Sequence, residues 1–539
     1  MKKKGLSKIT ALLLIVVLVL TGCGSGEDSS GSGSKTTTIN FALAGDISSL
    51  DPIHNYEVSA FCVVNNIAES LLTFGSDGVT LEPCLASGWE EKDSKTYVYQ
   101  IRDDVCFSDG TPMTMDDVVF SLNRTKDPDS SADMAWLFDN VESIEQTGDW
   151  ELTIKLSNPD PLWKYYAATS ACQVISKSYC EEKGDSFGTP EGNILATGPY
   201  VCESWTVDSE LILKKNENYW NKEADIPLDT IHYFVIEDES SRTLAMSSGQ
   251  VDVIVSPSVD MLSELKSIEN VEVLKADSLY VDQVAFNCMR APFDDVNLRK
   301  ACAYAIDAVS IRNSVYGEYA QDATGLPFGK GIYAVAENVW NEAEKTSESY
   351  AYNMEKAKEY LAKSAYPDGV ETKLLYYTKN SNKNEALAIQ NSLAEIGVKV
   401  TLDEVSAGDY WSYVYGSVVD ENKVRDYDMM LGFWIPDCVD PSGFANIIYN
   451  SSCIGKGGCN TAAYSNDKVD KLIKEANANT DPEKRSEILA EAIQTATNDA
   501  PYKNLFYRDQ VMALNTSKFE VDFNVMWQYN LLVKDFKVK

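Results

Sequence analysis

The chain has 539 residues, with 47 Lys and Arg against 82 Asp and Glu, for a formal net charge of −35. At about 150 residues per domain, that length implies three to four domain-sized units; 44% hydrophobic and 24% charged residues exclude wholesale disorder. So large an acidic excess argues against nucleic acid as a partner and against peripheral docking on an anionic membrane, since both need clustered Lys and Arg.

Lys2, Lys3, Lys4 and Lys8 flank the start of an uncharged apolar run, Ile9 to Leu20. This is a basic n-region followed by an h-region too short to span a bilayer comfortably. Leu20-Thr21-Gly22-Cys23 comes next and resembles the bacterial lipobox, in which the cysteine is diacylated and becomes the mature N-terminus. Residues 1–22 are thus expected to be a signal peptide, with Cys23 lipidated and the body held outside the cytoplasm on the cell membrane. Residues 23–35 are rich in Gly, Ser, Asp and Glu and read as a flexible tether, with a reach on the order of 20 Å.

There are twelve cysteines, so acylation of Cys23 leaves an odd number and at least one free thiol. No C-x-x-C occurs, which lowers the zinc and thioredoxin-like readings. Cys453 and Cys459 flank a Gly-rich loop that either closes as a disulfide or carries two thiols. Cys302, between Ala301 and Ala303, reads as a small buried hydrophobe. No metal or cofactor is expected.

Along the chain, Thr38 to Leu43 alternates as a strand, and Val58 to Leu72 repeats apolar residues at helical spacing. Thr96 to Ile101 and Glu151 to Leu156 alternate as half-buried strands. Thr114, with Asp117 three residues on, has the form of a capping box. Tyr200 to Leu213 has β character; Ser240 to Ser248 reads as a helix closed by Gly249, followed by a strand over Val251 to Ile254. The pattern then becomes α/β. A strand over Val284 to Asn287 precedes a helix over Asp295 to Ile306, and a helix over Asn384 to Ile396 feeds a strand over Val398 to Leu402. A strand over Asp428 to Gly432, a loop from Trp434 to Pro441, and helices over Asp467 to Asn477 and Pro482 to Thr497 complete it. Mixed strands and helices with several crossovers indicate α/β lobes rather than one barrel.

Several separated motifs carry a resemblance: Ser49-Leu50-Asp51-Pro52, Phe107-Ser108-Asp109-Gly110-Thr111-Pro112, Thr197-Gly198-Pro199-Tyr200, Asn218-Tyr219-Trp220, Pro292-Phe293-Asp294-Asp295, Trp434-x-x-Asp437-x-x-Asp440-Pro441 and Ala500-Pro501. In this order, and with the lipobox, the chain resembles the dipeptide and oligopeptide solute-binding proteins of ABC importers (extracellular family 5). The resemblance implies an α/β, two-lobed periplasmic-binding-protein-like fold of type II, with an extra subdomain in the N-terminal lobe, closing on ligand like a hinged trap. Mapped here, lobe I takes residues 36–283 and 505–539 with the subdomain at about 74–196, and lobe II takes residues 284–504.

In peptide-binding members the aspartate at the position of Asp437 takes the ligand's α-ammonium; the alternative is a loop aspartate capping a turn. A buried carboxylate needs a cation, and a peptide terminus supplies one. The peptide otherwise lies extended and pairs its backbone with protein strands. Ile435 is expected to offer its backbone, and Trp434 to wall the cleft. Trp411 takes the same role by family analogy, with core packing as the alternative for both tryptophans. Longer-peptide members carry an arginine just before the Trp, where this chain has Met430, Leu431, Gly432 and Phe433, so the reader of a ligand carboxylate stays unassigned.

Gly184-Asp185-Ser186-Phe187-Gly188 matches G-x-S-x-G, but its polar surroundings lack the strand and helix of a nucleophile elbow. The chain has only two histidines, His54 and His232. The reading is therefore a non-enzymatic, monomeric, lipid-anchored receptor that captures short peptides and hands them to a membrane permease. The alternatives are the same fold holding a nickel chelate, an opine or an oligosaccharide, and a secreted serine hydrolase using Ser186.

Overall fold

Two sheets organise the chain, and the places where the backbone passes from one to the other define the lobes. The computed structural model describes residues 37–419, 424–455 and 457–539; the stretches expected to be a signal peptide and a tether, with Cys23, lie outside the described residues. Thr38–Leu43 pairs in parallel with Thr230–Val235 on one side and Val253–Val255 on the other. Its Ile39, Phe41 and Leu43 enter one apolar core while Ala42 enters another. Both faces of this strand are thus covered, as parallel pairing requires. The seven-stranded first sheet runs in the order Val271–Ala276, Gln510–Asn515, Val253–Val255, Thr38–Leu43, Thr230–Val235, Glu210–Lys215, Tyr200–Thr206.

The second sheet has six strands, in the order Ala320–Asp322, Tyr502–Arg508, Val281–Phe286, Met429–Trp434, Val370–Tyr377, Val398–Val405. The chain crosses between the sheets twice, through residues 277–280 and through Asp509. These crossings lie slightly away from the boundaries expected at 283/284 and 504/505. Val281 to Gln283 already belong to the ladder with Trp434 to Gly432, and Phe506 to Arg508 still pair with Asp322 to Ala320. Two lobes joined by two crossing segments make an α/β fold of the two-lobed, type II kind.

Within the stretch expected as a subdomain lies a four-stranded antiparallel sheet in the order Ala86–Asp93, Thr96–Ile101, Glu151–Leu156, Val141–Gly148. The helix Met115–Lys126 starts at the expected capping box: Asp117 N donates to Thr114 Oγ1 at 3.3 Å, and Thr114 N donates to Asp117 Oδ2 at 2.8 Å. The helix anticipated over Val58 to Leu72 stops at Val64. Asn66 turns its amide back onto the Cys62 carbonyl and across to that of Leu531. The carbonyls of Asn66 and Ile67 go to the amides of Tyr200 and Gly198 instead of to a further helical turn. Tertiary partners here outweigh helical periodicity.

Each lobe has its own core, around Phe41, Tyr233 and Trp527 in the first and Phe286, Ala301 and Phe506 in the second. A third apolar cluster runs from the subdomain (Leu137, Trp163, Tyr166) into the second lobe (Val439, Phe444, Ile448). Beside this junction Asp440 and Arg485 form a fully buried ion pair, Nη2 to Oδ2 2.6 Å. Asp440 also accepts from the Ser442 amide, which fixes the turn after Asp437. The aspartate thus shapes its loop. Asp440→Ala leaves the guanidinium uncompensated and is expected to destabilise the protein by about 3–5 kcal/mol, measured by urea denaturation. Adding Arg485→Met is expected to recover most of that loss.

Candidate functional site

The strand Met429–Trp434 pairs along its whole length with Val281–Phe286, immediately after the first crossing. Trp434 is therefore the last strand residue, where the sequence placed it at the head of a loop. Its indole Nε1 donates to the Gly443 carbonyl at 2.9 Å, tying the loop back onto its own start. Gly443 has to be small there, because a Cβ would sit 2.7 Å from Pro436 Cβ. Ile435 lies one residue beyond the paired strand and packs, partly buried, against the apolar cluster shared with the subdomain. Upstream, a Cβ on Gly432 would meet the Tyr410 hydroxyl at 2.1 Å. Tyr410 fills the space that a longer side chain before Trp434 would need.

Asp437 follows in this tied loop and is 8% exposed. Tyr56, from the first lobe, donates its hydroxyl to Asp437 Oδ1 at 3.0 Å. The Tyr529 hydroxyl, on the C-terminal segment, is near enough to favour the charged carboxylate as well. Burial pushes the Asp437 carboxyl up to about 6, and the two hydroxyls offset this only in part. Among the described residues, no Lys, Arg or His lies within ion-pair distance of it. The site is a desolvated carboxylate facing two neutral donors, an arrangement that is stable only when a cation joins it or a proton neutralises it.

Between the lobes, and floored by both crossing segments, lies a cavity of about 490 Å³ lined by Tyr280, Tyr316, Lys379, Arg508, Asp509 and Gln528. Arg508 Nε binds Asp282 Oδ2 at 2.6 Å and its guanidinium lies 4.4 Å from the Tyr280 ring centre and 5.1 Å from that of Phe433. Its charge is thus matched within the protein. Lys379, exposed at the cavity's edge, has no carboxylate within salt-bridge distance among the described residues, and partial desolvation together with nearby Arg508 lowers its pKa. Glu385, buried and hydrogen-bonded by the Tyr316 hydroxyl at 3.2 Å, is pushed up to about 8, chiefly by burial and then by Asp282. Lys379 thus brings to the cavity wall an ammonium with no ion pair of its own among the described residues, in company with Glu239, Arg242 and Asp260.

Trp411 is 41% exposed rather than packed in the core. It sits on the helix Ala407–Val414, stacked on Tyr415 with ring centres 5.8 Å apart and edge-on to Phe433 at 5.9 Å. Cys453 and Cys459 are free thiols, so the disulfide considered for them is not formed. Cys453 Sγ instead points to the Asn446 carbonyl at 3.3 Å, and Arg425 holds the loop by donating to the Gly458 carbonyl. Ser186 lies in a 3₁₀ turn after the helix Lys177–Lys183 and donates to the Lys183 carbonyl, not on the strand-to-helix turn that a nucleophile elbow needs. His232 pairs with Glu210 at 2.7 Å.

The structure thus sets Asp437 in the loop that follows Trp434 at the end of its strand and is tied back by its indole, with Ile435 between them and Trp411 exposed on the helix Ala407–Val414. It adds Tyr56, Tyr529, Lys379 and Tyr415, which sequence reasoning missed. Tyr56 lies only four residues after the Leu50-Asp51-Pro52 motif, the one signal available for any of them. Lys379 and Tyr529 lie in stretches with no motif, and only the fold carries them to the cleft.

Three comparisons bear on this geometry. The family described as bacterial extracellular solute-binding proteins, family 5 (middle region), matches residues 80–456. The probable D,D-dipeptide-binding periplasmic protein DdpA of Escherichia coli K12 is 27% identical over 492 residues, 90% of this chain and 91% of its own. The oligopeptide-binding protein OppA of Bacillus subtilis is 28% identical over 499 residues, 87% of each chain. The periplasmic binding protein DppA of Helicobacter pylori, solved with the peptide STSA, has the same fold with a TM-score of 0.76 at 24% identity, covering 93% of this chain and 98% of its own. These relatives are named as binding proteins, not enzymes. With a match spanning most of its length and two lobes shut over a cleft, the chain belongs to family 5 of the bacterial extracellular solute-binding proteins.

Proposed function

We propose that this protein is the lipid-anchored, extracytoplasmic receptor of an ABC importer, and that it captures short peptides between its lobes and delivers them to the membrane permease. The observation that carries the reading is Asp437: a carboxylate buried at the lobe junction with hydroxyl donors but no cation. The α-ammonium of a peptide is a cation of the right size that also brings hydrogen-bond donors. A neutral oligosaccharide would leave the carboxylate uncompensated. The names of the relatives, which refer to dipeptides and oligopeptides, point the same way.

The opposite end of the ligand finds its partner in the interlobe cavity. Lys379 offers an ammonium with no ion-pair partner, so a peptide's terminal carboxylate is neutralised there while its backbone runs between the two charges. Ligand binding then compensates the buried Asp437 carboxylate, which the empty closed form leaves unmatched, and meets the Lys379 ammonium at the cavity wall. A hinge-closing protein gains its ligand dependence in this way, because only the filled closed state escapes the desolvation penalty.

Asp437→Ala is expected to weaken binding of Ala-Ala-Ala at least tenfold by calorimetry, and N-acetylation of the peptide to do the same to the wild type. Because the removed carboxylate is uncompensated in the empty protein, the variant's Tm without ligand is expected to match or exceed that of the wild type. Lys379→Met is expected to weaken free peptides at least tenfold while removing the discrimination against C-terminally amidated ones. Unchanged affinities in both variants would overturn the reading.

Acid is expected to act through Asp437. Its closed-state pKa lies above the solvent-exposed value near 3.9, so protonation favours the empty closed form, and this stabilisation fades as pH rises through about 6. Ligand needs the ionised form. Affinity is therefore expected to be flat above about pH 7 and to fall roughly tenfold per unit below about pH 6, measured by calorimetry across that range. Cys23→Ala is expected to abolish palmitate incorporation and release the protein from the membrane fraction.

A further inference from the structure

A second concave surface lies where the subdomain meets the second lobe. It is a groove of about 310 Å³, lined on the subdomain side by Trp136, Asp139 and Asp160 and on the other side by Asn446, Asn450 and Asn477. That volume is at the lower end of the range for ligand pockets, about 300–1,000 Å³. The groove shares no lining residue with the interlobe cavity.

The subdomain wall is aromatic and fixed. Trp136 stands on the 3₁₀ turn Ala135–Phe138, whose Leu137 and Phe138 are buried and anchor it, while the indole residue itself is 40% exposed. Tyr166 meets the indole edge-on, with ring centres 6.4 Å apart and planes at 71°. Asn140 and Asn158 clasp their two segments together: Asn158 N donates to Asn140 Oδ1 at 2.9 Å, and Asn140 Nδ2 donates to the Asn158 carbonyl at 2.7 Å. Leu162 N donates to Asp160 Oδ1 at 3.0 Å and holds that carboxylate in place. A wall set in this manner loses little side-chain freedom when a ligand packs on it.

The opposite wall carries unused amides. Asn446 and Asn477 each bury a side-chain oxygen that finds no donor among the described residues, and a group left so costs about 1–3 kcal/mol. Asn450 accepts through Oδ1 from the Ser452 amide at 3.0 Å and its hydroxyl at 2.8 Å, which leaves its NH₂ as a donor. Among the described residues, no Lys or Arg pairs with Asp139 or Asp160. Burial pushes the Asp160 carboxyl up to about 6, so it is charged at pH 7.5.

We infer that this groove is a second binding site, which takes a neutral pyranose sugar. The apolar C–H face of such a ring covers the indole, and its hydroxyls both donate and accept, as the amides and carboxylates require. A cationic amine would satisfy the carboxylates and leave the asparagine NH₂ groups without acceptors. An acidic sugar would be repelled by Asp139 and Asp160. Because its two walls belong to different lobes, the site is complete only when the lobes are shut. The inference does not depend on what the interlobe cavity holds.

Calorimetry of the purified protein with cellobiose, maltose and lactose tests this. At least one of the three is expected to bind saturably, with digalacturonate at least tenfold weaker. Trp136→Ala, at an exposed position, is expected to weaken the bound sugar at least tenfold, and Asn477→Ala at least threefold. Trp136→Phe keeps an aromatic face and is expected to retain most of the affinity, which a general disturbance of the fold would not reproduce. A sugar held in the interlobe cavity would be indifferent to Trp136→Ala, and that result overturns the inference. So does a failure of all three sugars to bind, digalacturonate binding as tightly as they do, or spermidine binding in their place.

Discussion

The cleft is built around one unbalanced charge. Asp437 sits in a loop whose geometry is over-determined: the indole of Trp434 ties its two ends together, Pro436 packs on Gly443, and Asp440 is locked to Arg485. With the loop rigid, the carboxylate cannot swing out to water when the lobes meet. It must be neutralised where it stands, and Tyr56 and Tyr529 supply dipoles, not charge. Desolvation that a flexible side chain would evade becomes a lever for recognition.

Two neighbouring acid–base groups show how differently burial is handled a short way off. Asp440, fully buried, is matched by Arg485 and serves the architecture. Asp282 is matched by Arg508 and steadies the cavity wall. Asp437 and Lys379 have no such partners. The contrast within one cleft separates charges that hold the fold from those proposed to meet a ligand, a distinction carried by ion-pair distances and not by residue type alone.

Much of the fold was legible because its signals are local. The strands Thr38–Leu43, Thr96–Ile101 and Glu151–Leu156 fall where the sequence pattern puts them, although runs of three buried residues show both of their faces largely covered. Asp295 and Gly249 mark helix ends in the structure as they do in the sequence. The failures came where distant partners intervene. Val58 to Leu72 has helical spacing, but Asn66 and Ile67 give their carbonyls to residues more than a hundred positions away. In the site, Asp437 and Trp434 were legible through a motif in one stretch of chain. Tyr56, Lys379 and Tyr529 were not, since they come from three separate segments and meet only when the sheets are assembled. The disulfide considered for Cys453 and Cys459 was a statement about loop length; the orientation of Cys453 towards Asn446 decides against it here.

The crossing segments have a mechanical consequence. Residues 277–280 and the single residue Asp509 are the links between the two halves, and Tyr280, Arg508, Asp509 and Gln510 also line the cavity proposed to hold the ligand. Because links and lining are the same few peptide bonds, an occupant wedged against them brakes the torsions that spreading the halves requires. Grip and angle are thus geared together, and a solute that leaves must first wait for its own bearing to turn.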